Sequence, residues 1–171
     1  QNRIISKSDI TRLIARGWNE SEDGTVFEVA PQKYNVDNDS MGLFEEDVEG
    51  MRGATLEGSF KVFYGKEQLC LRRAQVLSQC GLSLKRAVLS PIASARAVLS
   101  SQEMENGVAL VDIGKGMTEV AVIKDKTVRD LHFIPFGGES ITNDIRTVTN
   151  ISLKRAEELK VRYGCCLEEM T

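Results

Sequence analysis

The apolar positions fall at helical spacing first. Ile10, Leu13 and Ile14 share one face of a short helix over Asp9–Gly17, with Ser8 as its cap. Thr25–Ala30 and Gln32–Val36 then read as two strands separated by Pro31. Ala54–Tyr64 alternates, with Leu56, Phe60, Val62 and Tyr64 on one face. Lys66–Cys80 returns to helical spacing through Leu69, Ala74, Val76 and Leu77, and Gly81 stands where a left-handed cap belongs. This first half is an α+β pattern.

Past a hinge expected at 82–86 the rhythm changes. Ala87–Leu89 reads as a short strand and Ile92–Ser101 as a helix after Pro91. Val108–Ile113 is an unbroken apolar run, the pattern of a strand buried on both faces. A glycine turn, Gly114–Gly116, leads into a hairpin of Thr118–Lys124 and Val128–Phe133 around Asp125–Lys126. Gly137–Gly138 opens a helix over Ser140–Val148, and Ser152 caps a last one from Leu153 to Tyr163, ended by Gly164. The chain carries no internal repeat.

Composition narrows the classes. The 171 residues are 42% hydrophobic and 27% charged with 3 Pro, which describes an ordinary globular chain. No apolar run approaches the roughly 20 residues of a membrane span, and no apolar leader stands at the N-terminus. A formal charge of −3 offers no basic field for nucleic acid. Residues 1–60 hold 6 basic and 12 acidic side chains, against 16 and 13 in 61–171.

Asp37, Asp39, Glu45, Glu46, Asp47 and Glu49 account for much of that acidity. A calcium loop counted from Asp37 fails, because Met41 and Val48 stand where oxygen ligands are needed. A solvated acidic loop remains, one that can also serve as a docking surface for a basic partner. Cys70, Cys80, Cys165 and Cys166 form no C-x-x-C pair, and the single His132 is distant in sequence. They read as reduced structural thiols of a cytosolic protein.

The candidate chemistry lies in V-A-L-V-D-I-G-K-G-M-T-E-V-A-V, Val108–Val122. It puts the Asp112 carboxylate at a strand end beside glycines whose amides can nest an anion. Thr118 can add a hydroxyl donor. Asp112 would not touch phosphate; it would order hydrated Mg²⁺ or orient a water. A plain hairpin with a glycine turn fits the same residues. Gly137–Gly138, before a helix, is a second possible anion approach. Glu157 with Lys160, and Glu158 with Arg162, share helix faces, which on spacing alone reads as surface ion pairing.

G-V-A-L-V-D-I-G-K-G-M-T-E-V-A-V-I, I-P-F-G-G-E-S-I-T-N-D-I and A-E-E-L-K-V-R-Y-G-C together resemble the FtsA family of actin-like division ATPases. E-V-A-P-Q-K-Y-N-V-D, M-R-G-A-T-L-E-G-S-F-K-V-F-Y-G and L-S-P-I-A-S-A-R-A-V-L extend the resemblance to nearly the whole chain. It implies an actin-like (ribonuclease H-like) core fragment carrying an inserted strand–helix–strand–strand, SHS2-like domain. On that resemblance residues 1–83 are the inserted 1C interaction domain, 84–106 the return into subdomain 1A, and 107–171 the start of 2A.

The same resemblance assigns Asp112, Gly114, Lys115, Gly116, Met117 and Thr118 to a phosphate loop. Gly137 and Gly138 become the glycine pair before a 2A helix, and Glu157 and Lys160 the pair that reaches adenosine. It implies ATP with Mg²⁺ held through water by Asp112, and weak ATPase activity in the longer protein, with this fragment alone inactive. Self-association through 1C and partnership with FtsZ and other division proteins follow as expectations. So does a cytoplasmic, membrane-peripheral location at the division site, through a C-terminal helix not in this sequence. Lys115, Met117 and Glu119 replace the Gly, Thr and Asp usual in the family, which bears on nucleotide affinity rather than on fold. PilM, an actin-fold protein of type IV pilus assembly, is the alternative relative.

Overall fold

A computed structural model describes residues 2–18, 24–37 and 42–166. Asp39 and Met41 of the acidic stretch lie outside them. The chain divides into two compact units, Gln1–Val108 with Ile123–Arg129, and Ala109–Val122 with Asp130–Thr171. The expected hinge at 82–86 therefore lies inside the first unit.

The core of the first unit is one helix over the longer of two two-stranded sheets. Helix α1 (Lys7–Gly17) starts earlier than its spacing suggests, with Ser6 rather than Ser8 as the N-cap. Asp9 decides this, because its carboxylate accepts from the Ser6 amide at 3.0 Å and from the Ser6 hydroxyl at 2.7 Å. Ile10 then enters a core with Ile5, Tyr34, Val36 and Val48, flanked by Leu13, Ile14, Leu43, Leu56 and Phe60. The Tyr34 and Phe60 rings meet edge to face at 6.1 Å. Short strands β1 (Arg3–Ile4) and β3 (Arg52–Gly53) pair antiparallel, and helix α2 (Glu45–Val48) brings Val48 inward.

The sheet corrects the reading around Pro31. One strand, β2 (Gly24–Val36), runs through it and pairs antiparallel with β4 (Leu56–Lys66), from Val36↔Leu56 to Gly24↔Lys66. The register shifts between Pro31 and Lys33, so the missing N–H falls at an irregularity instead of ending the strand. A second shift, between Val26 and Glu28, makes Phe27 the extra residue. Tyr64 shares a face with Phe60 by parity, but it stands past the covered stretch and is 65% exposed.

Asp37 is no merely solvated acid. In a left-handed conformation (φ 53°), its carboxylate accepts from the Ala54 and Thr55 amides at 2.7 and 2.8 Å. That clamp ties the end of β2 to the start of β4. Those amide bonds, Thr55 first and Ala54 second, hold the Asp37 carboxyl below the usual value of 3.8.

Helix α3 (Glu67–Gln79) ends as the sequence suggests. Gly81 has φ +74°, and the Leu82 and Gly81 amides return to the carbonyls of Leu77 and Ser78, both at 2.9 Å. Its apolar Leu69, Leu71 and Val76 are nonetheless exposed. Ala87–Leu89 is not a strand, since none of the described strands pairs with it. The helix expected to run to Ser101 breaks into α4 (Ser90–Val98) and α5 (Ser101–Asn106). Ser100 and Glu103 make the capping box that restarts it. Cys70 is half-buried and the other three cysteines are exposed, so none is a packed core thiol.

Strands β5 (Val108–Ile113), β6 (Thr118–Lys124) and β7 (Thr127–Ile134) form one sheet in that order. Asp125 and Lys126 turn β6 into β7 with φ of 52° and 56°, the pairing of left-handed residues that suits a two-residue hairpin. Here β5 departs from expectation. It is an edge strand, and Val111 and Ile113 are exposed rather than buried on both faces. Helices α6 (Gly138–Thr149) and α7 (Leu153–Tyr163) pack on each other, α7 being capped by the Ser152 hydroxyl. Among the described residues no helix is long and apolar enough to cross a membrane.

Two outcomes test this architecture. Ile10→Ala empties a site that is 1% exposed and should cost about 2–5 kcal/mol in urea unfolding followed by circular dichroism. Asp37 is favoured in its charged form by folding, so its contribution is complete above the ordinary carboxyl value of 3.8 and fades as pH falls through the lower folded value. Asp37→Asn should therefore lower the melting temperature at neutral pH and reduce the drop below pH 4 expected of the parent.

Candidate functional site

The second unit holds most of the residues that carry candidate chemistry. After β5 the chain closes a tight loop in which the Gly114 amide donates to the Met117 carbonyl at 2.9 Å. That loop rests on the start of α6. The Gly138 amide donates to the Gly114 carbonyl at 3.0 Å, and the Glu139 amide to the Lys115 carbonyl at 2.7 Å. Gly137 makes the contact possible, because a Cβ there would lie 2.5 Å from both carbonyl oxygens. No side chain fits. Ser140 closes the first helical turn onto the Gly137 carbonyl at 3.0 Å.

This changes the role of the glycine pair. Its helix was expected to offer free amides to an anion, but the Gly138 and Glu139 amides are committed to the loop. The pair acts as a seat for the loop. Lys115 projects outward, 80% exposed along its side chain, with its ammonium 3.3 Å from the Glu139 carboxylate. Asp112, Gly114, Lys115, Gly116, Met117 and Glu119 line an open depression of about 470 Å³. A Cβ at Gly116 would meet nothing within 4 Å, so that position faces open space.

Thr118 is placed differently from expectation. It is buried, and its hydroxyl donates to the Phe136 carbonyl at 2.7 Å, so its proton serves the scaffold. It joins the start of β6 to the segment before α6. Among the described residues no group of three or more His, Cys, Asp or Glu stands together as a metal site. The Asp112 carboxylate, which belongs to no such group, fits a cation approached through water.

Glu157 and Lys160 form more than a surface pair. The Lys160 ammonium lies 2.8 Å from Glu157, donates to the Gly138 carbonyl at 2.9 Å and to the Thr142 hydroxyl at 2.8 Å. Thr142, 1% exposed, hydrogen-bonds the same Glu157 carboxylate. Lys160 first and Thr142 second hold the Glu157 carboxyl below its usual value. The cluster thereby pins α7 to the residue that seats the loop, a link that i,i+3 spacing alone does not reveal. Glu158 instead pairs with Arg155 at 2.9 Å, while Arg162 stacks over Tyr163 at 5.3 Å, so the expected Glu158–Arg162 pair is replaced.

The family described as cell division protein FtsA matches residues 109–171, which take in the loop, its helical seat and the Glu157–Lys160 cluster. Cell division protein FtsA of Pseudomonas aeruginosa is 33% identical over 99% of this chain and 40% of the relative. That of Enterococcus faecalis is 32% identical over the whole of this chain and 39% of its own, and that of Escherichia coli K12 is 26% identical over 95% and 39%. The chain thus spans about 40% of the length of the curated relatives it matches. A solved chain of a PilM–PilN type IV pilus biogenesis complex superimposes on 96% of this chain at a TM-score of 0.64. At 17% identity that likeness is one of fold. The chain thus matches the FtsA family of cell division proteins over residues 109–171 and is similar to its members along nearly the whole of its length.

Proposed function

We propose that this chain is part of an FtsA-like division protein that binds ATP and self-associates. In this reading residues 1–83 are an SHS2-like 1C interaction domain, 84–106 a return segment of subdomain 1A, and 107–171 the start of an actin-like 2A. The observation that carries it is the seated loop, in which Gly114–Met117 rests on the start of α6 through the Gly138 and Glu139 amides with Asp112 beside it. A loop held by its carbonyls presents its remaining polar edge and the Lys115 ammonium to a ligand. That is the requirement for a phosphate.

Within that reading each residue has a task. Gly114, Lys115, Gly116 and Met117 cradle phosphate, and Asp112 orders Mg²⁺ through water. Thr118 holds the loop's return strand in place. Gly137 and Gly138 position the loop, while Glu157 and Lys160 fix the helix along which the adenosine lies. ATP with Mg²⁺ would supply a nucleotide-dependent change in the whole protein. Its partners are FtsZ and further copies of itself through the first unit, on the cytoplasmic face of the inner membrane at the division site. A PilM-like role in pilus assembly is the second reading, supported by the likeness of fold. Binding to FtsZ or to a PilN-type partner separates the two.

Mg-ATP titration of the intact protein tests the nucleotide site. Asp112→Ala should weaken binding in the presence of Mg²⁺ far more than in its absence, since the carboxylate acts through the cation. Gly137→Ala drives a methyl into two carbonyl oxygens and should weaken binding by at least about tenfold, or ~1.4 kcal/mol. Unchanged affinity in both variants would remove the loop from the site.

A further inference from the structure

The first unit contains a cavity of about 550 Å³ that takes no part in the site above. Tyr34 lines it. That side chain is 2% exposed, and its hydroxyl is buried without a hydrogen-bond partner. Buried hydroxyls in folded proteins almost always find a partner, so one left without a partner on a residue of a cavity wall marks a place where a ligand atom belongs. Burial and then the Glu45 charge push the Tyr34 hydroxyl up to about 12, which keeps it neutral and able to accept.

The rest of the lining selects the sign of that ligand. Several carboxylates of the wall are already engaged: Asp47 by the Phe44 amide at 3.1 Å, Asp125 by Arg129 at 2.7 Å, and Glu105 by Lys126 at 3.1 Å. Glu45, Glu46 and Glu49 also line the cavity, and among the described residues they make no salt bridge. Lys7 and Lys126 line the cavity too, but six carboxylates outnumber them, so an anion entering here meets an excess of negative charge. A group with several N–H donors and a positive charge satisfies the Tyr34 oxygen and a carboxylate together.

We propose that this cavity binds an organic ammonium or guanidinium group, with Tyr34 Oη and the Glu45 carboxylate as its acceptors. The chemistry is that of a lysine or arginine side-chain head or of a free polyamine. The site is independent of the nucleotide reading, since no residue is shared with the loop. It also gives the acidic stretch a defined task, one that a merely solvated loop would lack.

Titration of the ¹⁵N-labelled chain with spermidine, Nα-acetyl-lysinamide and Nα-acetyl-argininamide tests it, with Nα-acetyl-norleucinamide as the uncharged comparison. Saturable shifts at Tyr34 and Glu45 are expected for the cations and not for norleucinamide. Tighter binding of spermidine assigns the site to a free amine, and tighter binding of the amides assigns it to a side chain. Tyr34→Phe and Glu45→Gln should each weaken binding by about tenfold or more. Tyr34→Phe should leave the unfolding midpoint no lower than in the parent, because the hydroxyl removed had no partner. Equal binding of norleucinamide, parent-like affinity in both variants, or no saturable binding of any cation would overturn the proposal.

Discussion

The geometry of the second unit depends on two amide–carbonyl hydrogen bonds across a glycine. The Gly138 and Glu139 amides hold the carbonyls of Gly114 and Lys115, and Gly137 supplies the missing side chain that lets the two backbones approach. Helix starts leave amides without intrahelical partners, and here the loop supplies them. Loop and helix therefore move as one piece. Lys160 extends that piece to α7 by reaching the Gly138 carbonyl and Thr142, so a residue more than twenty positions away reports on the loop's seat.

The first unit solves a different problem. Its sheet has two strands, too few to stand alone, and α1 supplies the cover through Ile10, Leu13 and Ile14. Tyr34 fills the centre with its ring while its hydroxyl stays unmatched, an arrangement that favours packing over polar satisfaction. Beside its ion-paired acids, such as Glu105 and Asp125, the unit holds two further kinds. Asp9, Asp37 and Asp47 hold backbone amides, whereas Glu45, Glu46 and Glu49 make no salt bridge among the described residues.

Much of this was legible where a residue type has one local use. Gly81 marks a helix end, Asp125–Lys126 a hairpin turn, and Ser152 a cap, because each acts on its own few neighbours. The glycine pair and the Asp112 strand end were equally visible as a candidate site. Long-range partners were not. Pro31 predicts a break until the register shift opposite Ser59 and Phe60 absorbs its missing N–H. The apolar Val108–Ile113 reads as a buried strand, and its edge position depends on neighbours that its own residues do not encode. Thr118 looks like a ligand donor in a motif, yet its proton goes to Phe136, eighteen residues on. The Ser100–Glu103 box is local too, but the helical run before it extends past Ser100 on spacing alone and hides the restart.

The clamp at Asp37 bears on how the sheet is assembled. Val36↔Leu56 is the pairing of β2 with β4 that closes the shortest span of chain, and Gly24↔Lys66 the one that closes the longest. Asp37 grips Ala54 and Thr55 beside the near end. Joining that end first carries the smaller chain-closure entropy, and each further rung then adds to a ladder already begun. The strands thus close like a zip fastener whose starting pin is a carboxylate. During synthesis from the N-terminus, β2 can take its partner as soon as residues 54–56 leave the ribosome, before the far end of β4 has emerged.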